Sequence, residues 1–235
     1  MALPILNTPR FEVELPISKK SVSYRPFLVK EEKVLLMALE SGDQKQILRA
    51  MHDVIEACTN NEVKAKDLPV AELEYLFLKL RSKSVGEKSH IGLSCKSCKT
   101  TNEMDVDLES IEIETGHVPS NKIMLTDTIG VMMKYPSSSD VIKNIDTKKS
   151  DVENSYAVII ACLDKIFDTE NVYDVATQTK QEVTDFIESL NKAQFEKIKN
   201  FFENMPKLKK DVSFNCEQCG TKNEVVLEGI ESFFA

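Results

Sequence analysis

The stretch LSCKSCKTTNE, residues 93–103, returns near the other end of the chain as FNCEQCGTKNE, residues 214–224. Cys95 and Cys98 recur as Cys216 and Cys219, and Thr100, Asn102 and Glu103 recur as Thr221, Asn223 and Glu224 at the same offsets. The likeness runs on into DLESIE from Asp107 and VLEGIE from Val226, once two residues are dropped. Two residues between cysteines let both thiolates, and the N–H groups of the turn, converge on one cation. Such a turn is a zinc knuckle. One knuckle supplies two ligands, whereas structural Zn²⁺ takes a closed tetrahedron of four. The repeat therefore predicts one Zn²⁺ per chain on Cys95, Cys98, Cys216 and Cys219, with each knuckle at the tip of a small hairpin in a zinc-ribbon-like subdomain. Four thiolates leave no open coordination position, so the ion would be structural rather than catalytic. The interval from Cys98 to Cys216 is far longer than the roughly 15–20 residues of the compact four-cysteine signature. The helices between them are then either an insertion or a body pinned between two halves of one fastening.

Other readings of the cysteines stay open at this point. Two separate ions would each need further ligands, to be drawn from His52, His90, His117, Cys58, Cys162 or carboxylates. A redox pair is also conceivable, but a thioredoxin-like motif follows a strand and opens a helix. Here TTNEMDVDL follows, which reads as a strand. Cys58 and Cys162 fall on apolar helical faces and read as core.

The 235 residues carry a net charge of −8 and are 42% hydrophobic, enough for a buried core. That acidity argues against a general polyanion binder, because phosphate contacts draw on Lys and Arg. Met1 to Pro9 lacks the basic start and apolar stretch of a secretory signal, and the apolar runs at Val34–Leu39 and Ala157–Leu163 are too short to span a bilayer. A soluble, unexported protein in a reducing compartment is expected. No Gly-rich phosphate loop, G-x-S-x-G or H-E-x-x-H motif occurs, so no enzyme is expected.

Alternation at Phe11, Val13 and Leu15, then Val22 and Tyr24, predicts an N-terminal hairpin over residues 1–28. Helical spacing follows from Lys30 to Ser41, from Asp43 as N-cap to Cys58, and from Asp67 as cap through Leu80. Residues 29–90 form a helical region, with Val85 to His90 as loop. The first knuckle takes residues 91–115. Residues 116–210 are a helical insertion, with a short strand at Ile123–Leu125, a short helix before Pro136 and a helix from Asp151 to Phe167. Two further helices follow, with Thr179/Glu182 and Asn191/Gln194 at capping-box spacing. Lys207 to Lys210 reads as a basic loop, and residues 211–235 hold the second knuckle and the tail. The fold class expected is α+β, mainly helical, in one cooperative domain.

The hairpin and its exit, LPISKKSV followed by YRPFLVKEEKVLLMA from Tyr24 to Ala38, resemble the base plate protein family of T-even-like bacteriophages. That family includes the baseplate hub subunit and the hub assembly protein. The resemblance is strongest from the N-terminus to about Asn60, and Arg25, Pro26, Phe27 and Lys30 to Lys33 carry it. It implies a non-enzymatic role at the baseplate hub of a contractile tail, as a component or as an assembly factor or chaperone. Partners would be other hub proteins or the tape measure, in the host cytoplasm during assembly and in the tail baseplate. Tyr24, Arg25 and Phe27 are residue types enriched at interfaces, and Phe233 and Phe234 near the C-terminus join them as candidate partner contacts. The alternative from another class is a zinc-ribbon nucleic-acid-binding regulator. Its discriminator is charge, and Glu103, Glu217, Glu224 and the acidic run Asp105 to Glu114 surround the knuckle lysines Lys96, Lys99 and Lys222.

Overall fold

A computed structural model describes residues 7–114, 120–146 and 148–233. In chain order the first segment gives β1 (Phe11–Glu14), β2 (Ser21–Tyr24), α1 (Val29–Ser41), α2 (Gln44–Cys58), α3 (Val70–Ser84), β3 (Lys88–Ser94), β4 (Thr101–Asp107) and β5 (Glu112–Glu114). Next come β6 (Lys122–Met124), β7 (Gly130–Met133), α4 (Ser138–Asn144), α5 (Asp151–Ala161), β8 (Leu163–Phe167), β9 (Val172–Asp174), α6 (Lys180–Glu188) and α7 (Lys192–Glu203). β10 (Lys207–Asn215) and β11 (Lys222–Glu228) follow, and after them a short 3₁₀ turn at Ile230–Phe233. Two units result: Met1–Glu114 with Pro206–Ala235, and Thr115–Met205.

In the first unit β1 and β2 pair antiparallel, Phe11 opposite Tyr24 and Val13 opposite Val22. The alternation predicted from the sequence is what buries Leu15, Val22 and Tyr24 against Met51, Val54, Ile55 and Cys58 of α2 and Leu73, Leu76, Phe77 and Leu80 of α3. Asp43 caps α2, accepting from the Lys45 N–H at 2.8 Å. The turn of the first hairpin is held by buried Glu72, whose Oε1 accepts from the Ile17 and Ser18 N–H groups at 2.8 and 2.6 Å. A second cluster, with Ile91, Val106, Leu108, Ile111, Ile113, Leu208, Leu227 and Phe233, lies beneath the later strands.

The second unit is an antiparallel sheet in the order β6-β7-β8-β9. Its core joins Val131, Met133 and Leu163 of the sheet to Ile159, Val183, Ile187, Ile198 and Phe201 of the helices. The capping boxes at Thr179/Glu182 and Asn191/Gln194 start α6 and α7 as predicted. Gly130 marks the tightest approach in this sheet: a Cβ there would meet the Phe167 ring and lie 2.8 Å from the Ile123 carbonyl oxygen. Gly130→Ala is therefore expected to cost about 1–3 kcal/mol through overpacking. Denaturant unfolding measures it, and an unchanged midpoint would show that the sheet yields.

Several expectations are corrected. Helix takes 41% and strand 26%, so the chain is not mainly helical. The zinc-ribbon-like subdomain is also not formed as one ribbon: β3-β4 is a two-stranded sheet by itself, while β10 pairs with β11 and β5. Lys88–Ser94, read in part as loop, is a strand whose Ser89 and Ile91 point inward. The segment before Pro136 is β7 rather than a helix, and the helix from Asp151 stops at Ala161, where Leu163–Phe167 turns into β8. Apolar runs this short satisfy either periodicity, and sheet partners decide between them. The lysines at 207–210 are likewise in a strand, with Lys207 bound to Glu228 at 2.8 Å and Lys209 to Glu114 at 3.2 Å. Asp67 lies in a short 3₁₀ turn, Ala65–Asp67, and Pro69 takes the N-cap place of α3.

Candidate metal centre

Both knuckles sit at the tips of hairpins whose strands are in strict antiparallel register. Ser94 pairs with Thr101 at the end of β3-β4, and Asn215 with Lys222 at the end of β10-β11. Each tip closes with the same two backbone hydrogen bonds. The Cys95 N–H donates to the Thr100 carbonyl (2.8 Å) and the Lys99 N–H to the Cys95 carbonyl (3.0 Å); Cys216 to Thr221 (2.9 Å) and Gly220 to Cys216 (2.8 Å) repeat them. The residue after the second cysteine takes the left-handed conformation in both, at φ 63° for Lys99 and 69° for Gly220. Glycine does this freely, so Lys99 carries a small conformational cost that its partner knuckle avoids.

The four sulfurs converge. Cys95 Sγ is 3.7 Å from Cys219 Sγ, Cys98 Sγ is 3.5 Å from Cys216 Sγ, and all four lie within 4.8 Å of one another. A Zn–S bond of about 2.3 Å implies tetrahedral S···S edges of about 3.8 Å, so four thiolates at this spacing fit such an ion. Cys95 and Cys216 are buried, while Cys98 and Cys219 lie toward solvent. Hydrogen bonds from the Cys98 and Ser97 N–H groups hold the Cys95 thiol down at about 6, against an ordinary 9.0. The Cys219 and Gln218 N–H groups lower Cys216 in the same way. The lowered Cys95 and Cys216 thiols favour the thiolates that a metal requires, whereas at Cys98 the lowering by Thr100 is outweighed by the adjacent Cys219 and Cys216 sulfurs, which push the thiol up.

A feature without an assigned role in the sequence now acquires one. Buried Asn102 accepts at Oδ1 from the Glu217 N–H of the opposite knuckle (2.9 Å), and its amide lies 3.7 Å from Cys216 Sγ. Asn223 mirrors it, accepting from the Lys96 N–H (2.9 Å) with its amide 3.5 Å from Cys95 Sγ. Each asparagine thus reaches from one hairpin into the other, which fixes the two tips to each other and supports the sulfurs from behind. The signal was present in the repeat: both asparagines stand four residues after the second cysteine of their pair.

The remaining candidates are elsewhere. Cys58 and Cys162 are buried, and burial pushes their thiols up to about 11 and about 12. His90 is exposed on β3 against Asp105, and His52 lies on α2; His117 falls outside the described residues. Among the described residues, the four cysteines are the group of metal-ligating side chains that comes together. Tyr24 and Phe233 are 3% and 0% exposed, so both rings belong to the core rather than to a contact surface. Arg25 and Phe27 are half-buried, and Phe234 lies outside the described residues. Polar side chains outside the knuckles also serve the fold: buried Lys79 donates to the Glu109 carbonyl (2.7 Å), and Ser82 binds the Glu109 carboxylate. No helix among the described residues is long and apolar enough to cross a membrane.

With this geometry in view, the family comparison bears on the whole chain. The T4 bacteriophage base plate protein family matches residues 8–235, from before the first hairpin through both knuckles. The chain belongs to that family. This base plate protein is also 24% identical, over 224 residues, to the baseplate hub assembly protein gp26 of Enterobacteria phage T4. The alignment covers 95% of this chain and 97% of the relative, so it includes both units and not only the N-terminal segment. No solved structure matches the chain.

Proposed function

We propose that this base plate protein works at the hub of a contractile-tail baseplate, as an assembly factor or hub component, through protein–protein contacts and without catalysis. The observation that carries the reading is its end-to-end similarity to a hub assembly protein. Its partners would be other hub proteins or the tape measure, met in the host cytoplasm during assembly, with the tail baseplate as the place of any copy that stays. One Zn²⁺ on Cys95, Cys98, Cys216 and Cys219 would be a structural fastening, supported by the sulfur spacing and the reciprocal asparagines. The ion would bind the C-terminal hairpin to β3-β4 and leave surface elsewhere for partners.

The nucleic-acid alternative gains nothing from the knuckles. Lys96 Nζ donates to the Glu224 carbonyl, and Lys222 pairs with the Glu224 carboxylate at 2.7 Å, so two of the three knuckle lysines are engaged within the module. The deciding experiment is a pull-down from cells producing the whole tail, analysed beside purified particles by mass spectrometry. Capture of hub proteins is expected. Capture of no tail protein would overturn the reading, and presence or absence in finished particles separates a hub component from an assembly factor.

A further inference from the structure

Helix α1 has a face that its own unit leaves uncovered. Glu31 and Ala38 point inward, whereas Val29, Leu36 and Met37 are 80%, 54% and 61% exposed. At 3.6 residues per turn, Val29, Lys33, Leu36, Met37 and Glu40 share an arc of about 100°. Lys33 and Glu40 are both exposed, and among the described residues neither is in an ion pair. From Lys33 onward the order along this face is basic, apolar, apolar, acidic. That order runs against the helix dipole, which favours acidic groups at the N-terminus and basic groups at the C-terminus; α1 has no basic residue in its last turn. A solitary helix gains nothing from it. Read backwards, however, the pattern complements itself.

We propose that α1 is the contact of a two-fold dimer of this chain, in which two α1 helices pack antiparallel about the level of Leu36 and Met37. In this register Lys33 of each copy faces Glu40 of the other, and the exposed Leu36 and Met37 side chains of both copies lie between the two ion pairs. A two-fold contact uses one patch twice, so it demands a self-complementary order of charges, whereas an unrelated partner does not. The antiparallel arrangement also brings the two helix dipoles into favourable opposition. Lys30, which already pairs with Glu31 at 3.3 Å, and exposed Glu32 both lie off this arc, which leaves Lys33 and Glu40 as the charges on the face that a second copy can engage.

The test is the mass of the full chain in solution, by light scattering and sedimentation over a concentration series, with circular dichroism to verify folding. The wild-type chain is expected to dimerise. Lys33→Glu and Glu40→Lys should each raise the dimer dissociation constant by about tenfold or more, since each sets like charges together at both ends of the contact. An equimolar mixture of the two variants should form a heterodimer, because every pair is then complementary again. A wild-type chain that is monomeric throughout, a dimer indifferent to both substitutions, or a mixture that fails to associate would each overturn the proposal.

Discussion

Cys216→Ser is expected to take the chain from one zinc per molecule to none and to lower its stability by more than about 5 kcal/mol. Structural Zn²⁺ is worth about 10–16 kcal/mol to isolated zinc-finger peptides at neutral pH, because the ligands come together only in the folded state. Here Cys216 is at the tip of β10-β11, and Cys98, whose sulfur lies 3.5 Å away, is at the tip of β3-β4. The two pairs are so far apart in sequence that an ion joining them closes a very large loop of the unfolded chain. What holds the tips without the metal is modest: two asparagines, each with one cross-hairpin N–H bond at 2.9 Å, and exposed bonds from Lys96 to the Glu224 carbonyl and from Thr100 to Gln218. Elemental analysis and thermal unfolding measure the two effects. Cys58→Ser and Cys162→Ser serve as controls, since both thiols are buried in the cores and should leave the zinc content at one. A wild-type value near zero after purification without chelators would overturn the site, and a value of two would assign separate ions to the knuckles.

The parts of the fold legible in the sequence are those decided within a few residues. The ligand spacing of each knuckle is local, as are the Asp43, Thr179 and Asn191 caps, and the alternation at Phe11 and Val13 already announces the first hairpin. The strands that local pattern does not announce depend on distant partners. Lys207–Lys210 looks like a solvated basic loop until Glu228 and Glu114 stand opposite it. Ser89 looks like a loop residue until its hydroxyl meets the Phe233 carbonyl, 144 positions away, at 2.5 Å. Leu163–Phe167 continues the apolar run of α5, and only pairing with β7 and β9 makes it a strand. The same distance effect applies at the cysteine cluster. Asn102 and Asn223 were visible as a repeat, but their role requires the two hairpins to be side by side.

Arg25→Ala should destabilise the first unit by about 3–5 kcal/mol, which changes how this residue can be tested as a partner contact. Its guanidinium binds Glu31 at 2.9 Å with the two side chains only 14% and 7% exposed, and it also donates to the Pro26 carbonyl at 2.9 Å. Removing it leaves the Glu31 carboxylate buried with its main counter-charge gone. Burial alone would raise the Glu31 carboxyl, but hydrogen bonds from Arg25 and the Leu28 N–H outweigh it and hold it below the usual 4.5. A carboxyl lowered in the folded state contributes stability above its unfolded pKa and loses it as the pH falls through the folded value. The gap between wild type and Arg25→Ala, measured by urea unfolding, should therefore be largest near neutral pH and close as Glu31 protonates. Arg25→Ala with Glu31→Gln should recover much of the loss at neutral pH, since no charge is then left unpaired. A gap that does not change with pH would remove the ion pair as its cause. Loss of partner capture by Arg25→Ala would thus report folding as much as contact, so Phe27→Ala, which spares the buried charge, is the cleaner probe of the N-terminal surface.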